Sequence, residues 1–548
     1  MTNRLDTIVE YISCLDSVII TKSFVLENLV IRGDIIIRVE EVELNFSVEI
    51  YQQYPYQFHD TESIRFINST LIEYNHVNRD GSICIHTQQS QELRTKIELD
   101  FFALKCWIKK YYINKDEDFH YEHIVVPHEP IDGFNYYYLF TDVEYEFKIG
   151  QFGFVNYYQL SQGFDQTENA ITNLICSFQI DKTVIPCNWS DRYLKHDTSI
   201  GIFLYIGEPP VHHKRFAMEN WKDLENIVSQ SFLSFLYDLD KRIFSKNKPL
   251  LIPLLLGYKI SSNEIHWQVT IIQSSSFPNY GMKSDTHKDR YIGQFHDQKI
   301  LWGQTKNISH RYFFGRGTLN KKLTESKILI IGIGAVGSMI ATSLARGGCL
   351  NVDVCDYDIK EPENVCRSEY WFVTGLNKKV EEIANVLTVI SPFVNVKLND
   401  KIIDFTKFSI QDPEWIIFLE EYFNSYDIVF DCTTDNELAN IFDKLKTNCD
   451  IFNISLTNHA KNLVCIVKPN IYNWLCEVFR FLEVDDLDLY NPNGCWSPTF
   501  KASYNDISTL VQLAIKNINY YYKQGKSFKS FYLTVCENDS INIQLTQL

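Results

Sequence analysis

Paired cysteines are the first thing this 548-residue sequence lacks. It has fourteen cysteines, yet no two of them form a C-x-x-C pair. A zinc ribbon is therefore not suggested, and the scattered spacing offers no disulfide framework. Long apolar runs are missing too. No stretch approaches the ~20 residues that cross a bilayer, and the opening MTNRLDTIVEYI lacks the basic-then-apolar layout of a secretory signal. Positive charge is scarce: 52 Lys and Arg against 69 Asp and Glu leave a formal net charge of −17. A nucleic-acid partner would want a basic face, so that class is disfavoured. No internal repeat or low-complexity tract stands out. The expectation is a reduced, cytoplasmic protein with no membrane segment. At 45% hydrophobic and 22% charged the composition is that of an ordinary globular chain, with room for roughly three or four domains.

The most informative stretch runs from Lys327 to Cys366. Ile328 to Ile331 is a short, β-branched apolar run that reads as a buried parallel strand. Gly332, Gly334 and Gly337 follow as G-x-G-x-x-G. This spacing permits a tight turn, close backbone approach to a phosphate, and tight packing of the next helix. That helix, expected from Ser338 to Arg346, aims its N-terminal amides at the loop. Val352 to Cys355 supplies the next strand. Asp356 ends it about 20 residues past the glycines, where an acid can meet a ribose hydroxyl.

The glycines alone would suit a dinucleotide dehydrogenase, but the following residues argue for other chemistry. Asp358, Asn364, Arg367, Gly375 and Lys378 come next, and 427–436 reads DIVFDCTTDN. Hydride transfer has no need of an Asn, an Arg and a Lys after the second strand. Attack on the α-phosphate of ATP does: Arg and Lys neutralise the gathering negative charge, and an Asp can hold Mg²⁺. These five spaced motifs (G-x-G-x-x-G, D-x-D, N-x-x-R, G-x-x-K, C-T-(x)-D-N) resemble the ThiF/MoeB and ubiquitin-activating enzyme family over about 306–548. The resemblance implies a Rossmann-like adenylation domain binding Mg-ATP. It puts Asp356 on the ribose, Arg367 and Lys378 on phosphates, and Asp435 at the metal. One residue more separates Cys432 from Asp435 than in the usual C-T-D, which keeps Asp431 as an alternative. It further implies a two-fold dimer, with Arg316 of the FFGRG segment reaching the γ-phosphate of the other subunit's site.

Region 1–125 opens with Leu5, Ile8, Val9 and Ile12 at helical spacing. Asp34 to Val42 and Val42 to Tyr51 read as strands, a Tyr-Pro follows in YQQYPYQF, and then comes YNHVNRDGSICIH. Ile97, Leu99, Phe101, Leu104 and Ile108 give a largely apolar helix. The Tyr-Pro and N-R-D-G-S-I-C-I resemble the ubiquitin-conjugating family, which implies an α+β domain with Cys84 as acceptor thiol. That family's His-Pro-Asn falls here on Tyr74, Asn75 and His76. The oxyanion donor is thus either His76 or, after a register shift, Asn75. Cys84 as a buried small hydrophobe on a strand is the competing reading.

The region 126–305 is aromatic and strand-rich. It has one helix expected around Trp221 to Phe244 and a buried run, LLIPLLLGYKI. The histidines in it and just before it, His120 and His123 in HYEH and His212 with His213, lack partners at metal spacing. It reads as a linker domain of mixed structure. Late in the chain, NPNGCWSPTF places Cys495 on a Gly/Pro-rich loop ahead of a helix, with Asn505 or Asp506 as its cap. Cys366, Cys432 and Cys476 compete for the role of activating thiol. The first two lie in core motifs and the third on an apolar helix, so Cys495 is favoured.

Conjugating-like domain, linker, adenylation domain and late G-C-x-x-P-T-F together resemble the bacterial conjugating proteins of antiphage CBASS operons. The fold class expected is α/β and α+β multidomain. The resemblance implies adenylation of a protein C-terminus, a thioester on Cys495, transfer to Cys84 and ligation to target lysines. The protein substrate would be a cGAS-like nucleotidyltransferase, or else a bacterial ubiquitin-like protein. A sulfur-carrier adenylyltransferase is a rival reading, though it would usually carry two C-x-x-C pairs. A scaffold with a dead adenylation fold is another, though it would lack some of Arg367, Lys378 and Asp435.

Overall fold

The computed structural model describes residues 2–57, 62–116, 124–127, 129–165, 168–244, 250–261, 264–283, 291–399, 412–482, 501–537 and 539–548. The chain divides into two compact units, Met1–Lys306 and Asn307–Leu548.

The first unit begins with helix α1 (Thr2–Ser13) and an antiparallel meander of β1 (Val18–Glu27), β2 (Val30–Val39), β3 (Val42–Ile50) and β4 (Ile64–Ile67). Burial alternates along β2, with Ile31, Ile35 and Ile37 inside, as a sheet with one covered face requires. Helix α2 (Leu93–Trp107) covers that face with Ile97, Phe101 and Leu104, beside Ile8 and Ile12 of α1. The two strands expected from the sequence are β2 and β3, separated by a turn at Glu40–Glu41; β1 precedes them.

A second sheet follows in the same unit. Its strands are β5 (Phe134–Phe140), β6 (Phe152–Asp165), β7 (Glu168–Ile180), β8 (Thr183–Pro186), β9 (Ser199–Gly207), β10 (Leu251–Ser261), β11 (Glu264–Gln273) and β12 (Gln304–Asn307). They run in the order β11-β10-β9-β6-β7-β5-β12, with β8 on β7. The LLIPLLLGYKI run becomes β10, covered on both faces, which is why its apolar residues do not alternate. Leu254 and Leu256 pack on helix α3 (Gln230–Phe244), while Leu255 faces Phe178, Phe203 and Trp267. The helix expected from Trp221 starts later. Trp221–Asn226 is a separate 3-10 turn closed by Asn220 and Asp223, and Ser229 caps α3 afresh by accepting from the Phe232 N–H at 3.2 Å. The two parts of this unit are joined by side chains. Arg79 pairs with Glu219 at 2.5 Å, and His213 lies 3.4 Å from Glu73. His212 faces Asp223; His120 and His123 lie outside the described residues.

The second unit is a three-layer α/β/α fold. Its strands β13 (Lys327–Ile331), β14 (Asn351–Cys355), β15 (Leu398–Asn399), β16 (Ile428–Asp431), β17 (Asp450–Thr457), β18 (Asn462–Val467), β19 (Phe531–Glu537) and β20 (Ile541–Gln547) run β15-β14-β13-β16-β17-β18-β19-β20. The first five pair in parallel and the rest antiparallel. Ile328 and Ile330 of β13 face helices α4 (Ala335–Arg346) and α5 (Lys379–Ile390). Leu329 and Ile331 face the other layer, α6 (Pro413–Asn424), α7 (Asn436–Lys444) and α8 (Ile471–Phe481). A long helix, α9 (Tyr504–Gln524), joins the α4 side. Its cap is Ser503, not Asn505 or Asp506. The Ser503 hydroxyl accepts from the Asp506 N–H at 3.2 Å, and the Asp506 carboxylate accepts from the Ser503 N–H at 2.9 Å. This is the reciprocal S-x-x-D form of a capping box.

Candidate functional site

In the second unit, β13 leads through α4 to β14 on one side, while β16 lies on the other. A crevice opens where strand order reverses in this way, at the carboxyl ends of parallel strands. Gly332, Asp356 and Thr433 all lie at those ends. Gly332 has φ +81°, and a Cβ there would come within 2.9 Å of the Cys432 carbonyl carbon. A Cβ on Gly337 would meet the Gly332 oxygen at 2.0 Å. Both glycines are thus required by the chain's own packing. Gly334 is different: a Cβ there would meet no protein atom within 4 Å. It is the N-cap of α4, and among the described residues no side chain caps that helix, so its first amides face the crevice with the positive end of the helix dipole. This arrangement fits a nucleotide phosphate, which needs free amides and a backbone without a Cβ.

The loop is braced from below. Asp356 is buried and accepts from the Ile333 N–H at 2.6 Å and the Asp358 N–H at 2.8 Å. Burial pushes its carboxyl above the ordinary range, against the pull of those amides and of Lys379. The Tyr370 hydroxyl donates to the Ile333 carbonyl. On the β16 side Asp431 is fully buried and holds Thr433 at 2.7 Å and Asn453 at 2.8 Å, and burial raises its pKa.

The remaining residues singled out in the sequence fall as follows. Asp358 pairs with Lys379 at 2.8 Å. Asn364 accepts from the Glu361 N–H at 2.9 Å, closing the turn Pro362–Arg367 that ends in half-buried Arg367. Lys378 is exposed just ahead of α5, with its Nζ 4.0 Å from Glu381. Asp435 is the N-cap of α7: its Oδ1 accepts from the Glu437 and Leu438 amides at 2.8 and 3.3 Å. Among the described residues its other oxygen makes no hydrogen bond, so it keeps a carboxylate oxygen suited to a hard cation. Arg316 stands in an exposed turn after the short helix His310–Phe314. Cys495 lies outside the described residues. Of its rivals, Cys432 has its thiol pushed well up by burial, and Cys366 donates to the Glu363 carbonyl at 3.1 Å.

Sequence reasoning missed the support under the loop between Arg367 and Lys378. Lys360 and Glu382 are buried together, 3.4 Å apart. The Lys360 ammonium also donates to the Trp371 carbonyl at 2.6 Å, and Glu382 accepts from Thr374 at 2.6 Å. This pair holds a loop that exposes Phe372, Val373 and Leu376. Nothing in a separation of 22 residues could reveal it.

In the first unit, Cys84 follows a tight turn. Asp80 accepts from the Ser82 amide at 3.0 Å and also pairs with Arg65. Gly81 has φ +82° and sits against the Ser69 backbone, where a Cβ would approach to 2.7 Å. The Cys84 amide donates to the His76 carbonyl at 2.7 Å. The next turn of chain is anchored through Thr87, which donates to buried Asp100 at 2.5 Å. Asp100 in turn holds Lys96, and Tyr54 of the Tyr-Pro at 2.8 Å. His76 and Cys84 open onto one cavity of about 420 Å³, with Leu99, Phe102 and Trp107 of α2 on its wall. The Trp107 indole donates to the Asn75 carbonyl at 2.9 Å. His76 thus shares the cavity with the thiol, whereas Asn75 is not among its lining residues.

With this geometry in view, residues 306–448 match the model of the ThiF family. Among curated proteins, the chain is 22% identical over 333 residues to the ATP-dependent ubiquitin transferase-like protein Cap2 of Enterobacter hormaechei, covering 55% of this chain and 53% of that one. It is 30% identical over 166 residues to the molybdopterin-synthase adenylyltransferase of Haemophilus influenzae, covering 30% of this chain and 61% of the relative. The chain therefore spans about half to three fifths of the length of these relatives. Among solved structures, E. coli MccB with ATP aligns at 17% identity and a TM-score of 0.29, over 41% of this chain and 65% of that one. Residues 306–448, which match the ThiF family model, contain Gly332, Asp356 and Thr433 at the strand ends.

Proposed function

We propose that the chain activates the C-terminal carboxylate of a protein with ATP and then carries the acyl group on thiols. The observation that carries this reading is the uncapped N-terminus of α4 behind Gly334, set at the strand-order switch inside the segment that matches the ThiF family. A carboxylate is a poor acyl donor because its leaving group would be oxide; transfer to AMP supplies a good one. In this reading Arg367 and Lys378 offset charge on the phosphates, and Asp356 holds the loop and faces the ribose. Asp435 and the crevice would hold Mg²⁺, which when bound withdraws charge from the phosphates. Arg316 is assigned to the γ-phosphate across a homodimer.

The Cys495 thiolate then attacks the acyl-adenylate, and Cys84 receives the acyl group by thioester exchange. His76, on the same cavity as Cys84, is the oxyanion donor. A lysine amine of a target protein ends the sequence with an amide. The domain boundaries that go with this reading are 1–125 for conjugation, 126–305 as linker and 306–548 for activation. The similarity to a ubiquitin transferase-like protein supports it, and the substrate proposed is a cGAS-like nucleotidyltransferase in antiphage defence. The test is ATP–pyrophosphate exchange with and without such a protein. Exchange that needs the protein's free C-terminus supports the reading, and exchange absent with every carboxylate donor refutes it.

A further inference from the structure

We infer that His86 is the general base of the Cys84 thiol, forming a Cys84–His86 pair at the mouth of the α2 cavity. This rests on the reading of Cys84 as an acyl carrier and adds a residue to it. The Cys84 sulfur lies 3.9 Å from His86 Nε2. The two residues are two apart in the sequence. Both line the cavity of about 420 Å³. The segment that carries them is fixed on either side, by the Cys84 amide on the His76 carbonyl and by Thr87 on Asp100. The imidazole is exposed, so it can exchange protons with solvent.

Other charged or titratable groups around the pair are Glu62, whose carboxyl feels the His86 charge, and His76, Cys106, Lys110 and Tyr111 on the same cavity. Lys96 and Asp100 beneath Thr87 are paired with each other. His76 shares the cavity wall, and His86 Nε2 stands 3.9 Å from the sulfur. The two histidines therefore divide the work, one at the oxyanion and one at the thiol proton.

The proton accounting closes within the pair. In thioester exchange the Cys84 S–H proton passes to Nε2 as sulfur bonds to the acyl carbon. The donor's C–S bond breaks, and the departing thiolate takes the proton back from the imidazolium. In aminolysis the attacking amine gives a proton to Nε2 as the C–N bond forms, and the same proton goes to the Cys84 thiolate as it leaves.

The test is the pH profile of Cys84 alkylation by iodoacetamide in the full-length protein, followed peptide by peptide in a mass spectrometer. In the wild type, Cys84 should already alkylate readily near neutral pH. In His86→Gln the rate should fall about tenfold near neutral pH and rise only near about 8.5, where an isolated thiol titrates. Cys106 on the same cavity serves as the unaffected control. His86→Asn should repeat the Gln result. If either His86 variant superimposes on the wild type, the pairing is wrong. If alkylation depends on His86 but wild-type Cys84 never takes an acyl group, the pair stands and the conjugation reading fails.

Discussion

At Gly334 and Gly337, two residues of one motif do different jobs. A methyl at Gly337 would run into a backbone oxygen at 2.0 Å, which cannot move aside as a side-chain end could. Gly337→Ala should therefore destabilise the second unit by about 1–3 kcal/mol, read as a lowered urea midpoint. A methyl at Gly334 meets nothing in the protein. Gly334→Ala should cost no more than about 1 kcal/mol as a poorer N-cap, yet weaken ATP binding by about tenfold or more because the methyl occupies the phosphate's approach. Equal effects of the two on folding would mean that Gly334 is structural. Asp435 poses a similar choice, since its Oδ1 already caps α7. Asp435→Asn keeps a capping oxygen and should leave stability near wild type, whereas Asp435→Ala should lose about 1 kcal/mol. If the carboxylate serves Mg²⁺, both should lower pyrophosphate exchange at least about tenfold. Full exchange by the Asn variant would leave Asp435 as a cap alone.

Elements were easier to read than the contacts that fix them. The 327–331 strand, the helix behind the glycines and the apolar α2 could be foreseen because burial imposes its period on the sequence. The start of α3 could not, since a 3-10 turn at Trp221–Asn226 carries the same apolar spacing as a helix. The Lys360–Glu382 pair was equally hidden, because a Lys and a Glu far apart in sequence look like surface charges. Burial pushes the Glu382 carboxyl up, but Thr374, the Trp371 amide and Lys360 together hold it below its usual value of 4.5. Because the folded pKa lies below the unfolded one, this contribution is present above about pH 4.5 and fades as pH falls through the folded value. Glu382→Gln should therefore speed hydrogen exchange of residues 371–376 at neutral pH. Once the pH has fallen through that folded value, where the wild-type acid is also neutral, the two proteins should converge. A difference that persists in acid would show that the carboxylate's charge is not what holds the loop.

At the scale of the whole molecule, the residues around the Gly332–Asp356–Thr433 crevice could be placed from sequence because their motifs are local. Five short motifs fall within 110 residues, and the sheet gathers their strand ends at one switch point. The thiol site was half legible. Cys84 and the Tyr-Pro could be read, but the Asp100 network that ties Tyr54 to the chain after Cys84 depends on tertiary contact. The 3.9 Å approach of His86 does too, although its position two residues from the thiol was visible in the sequence. Region 126–305 gave strands and nothing of function, because aromatic packing on both faces of a sheet leaves no chemical signature.

The most direct test follows the acyl group on the two thiols. Wild-type protein, ATP and a protein substrate should give an adduct that thiol reductants cleave, followed by an amide on lysine. Cys495→Ala should retain pyrophosphate exchange but carry no thioester on either cysteine. Cys84→Ala should load Cys495 and transfer nothing to lysine. Normal conjugation by both variants would contradict the account and leave an adenylate passed to an external acceptor.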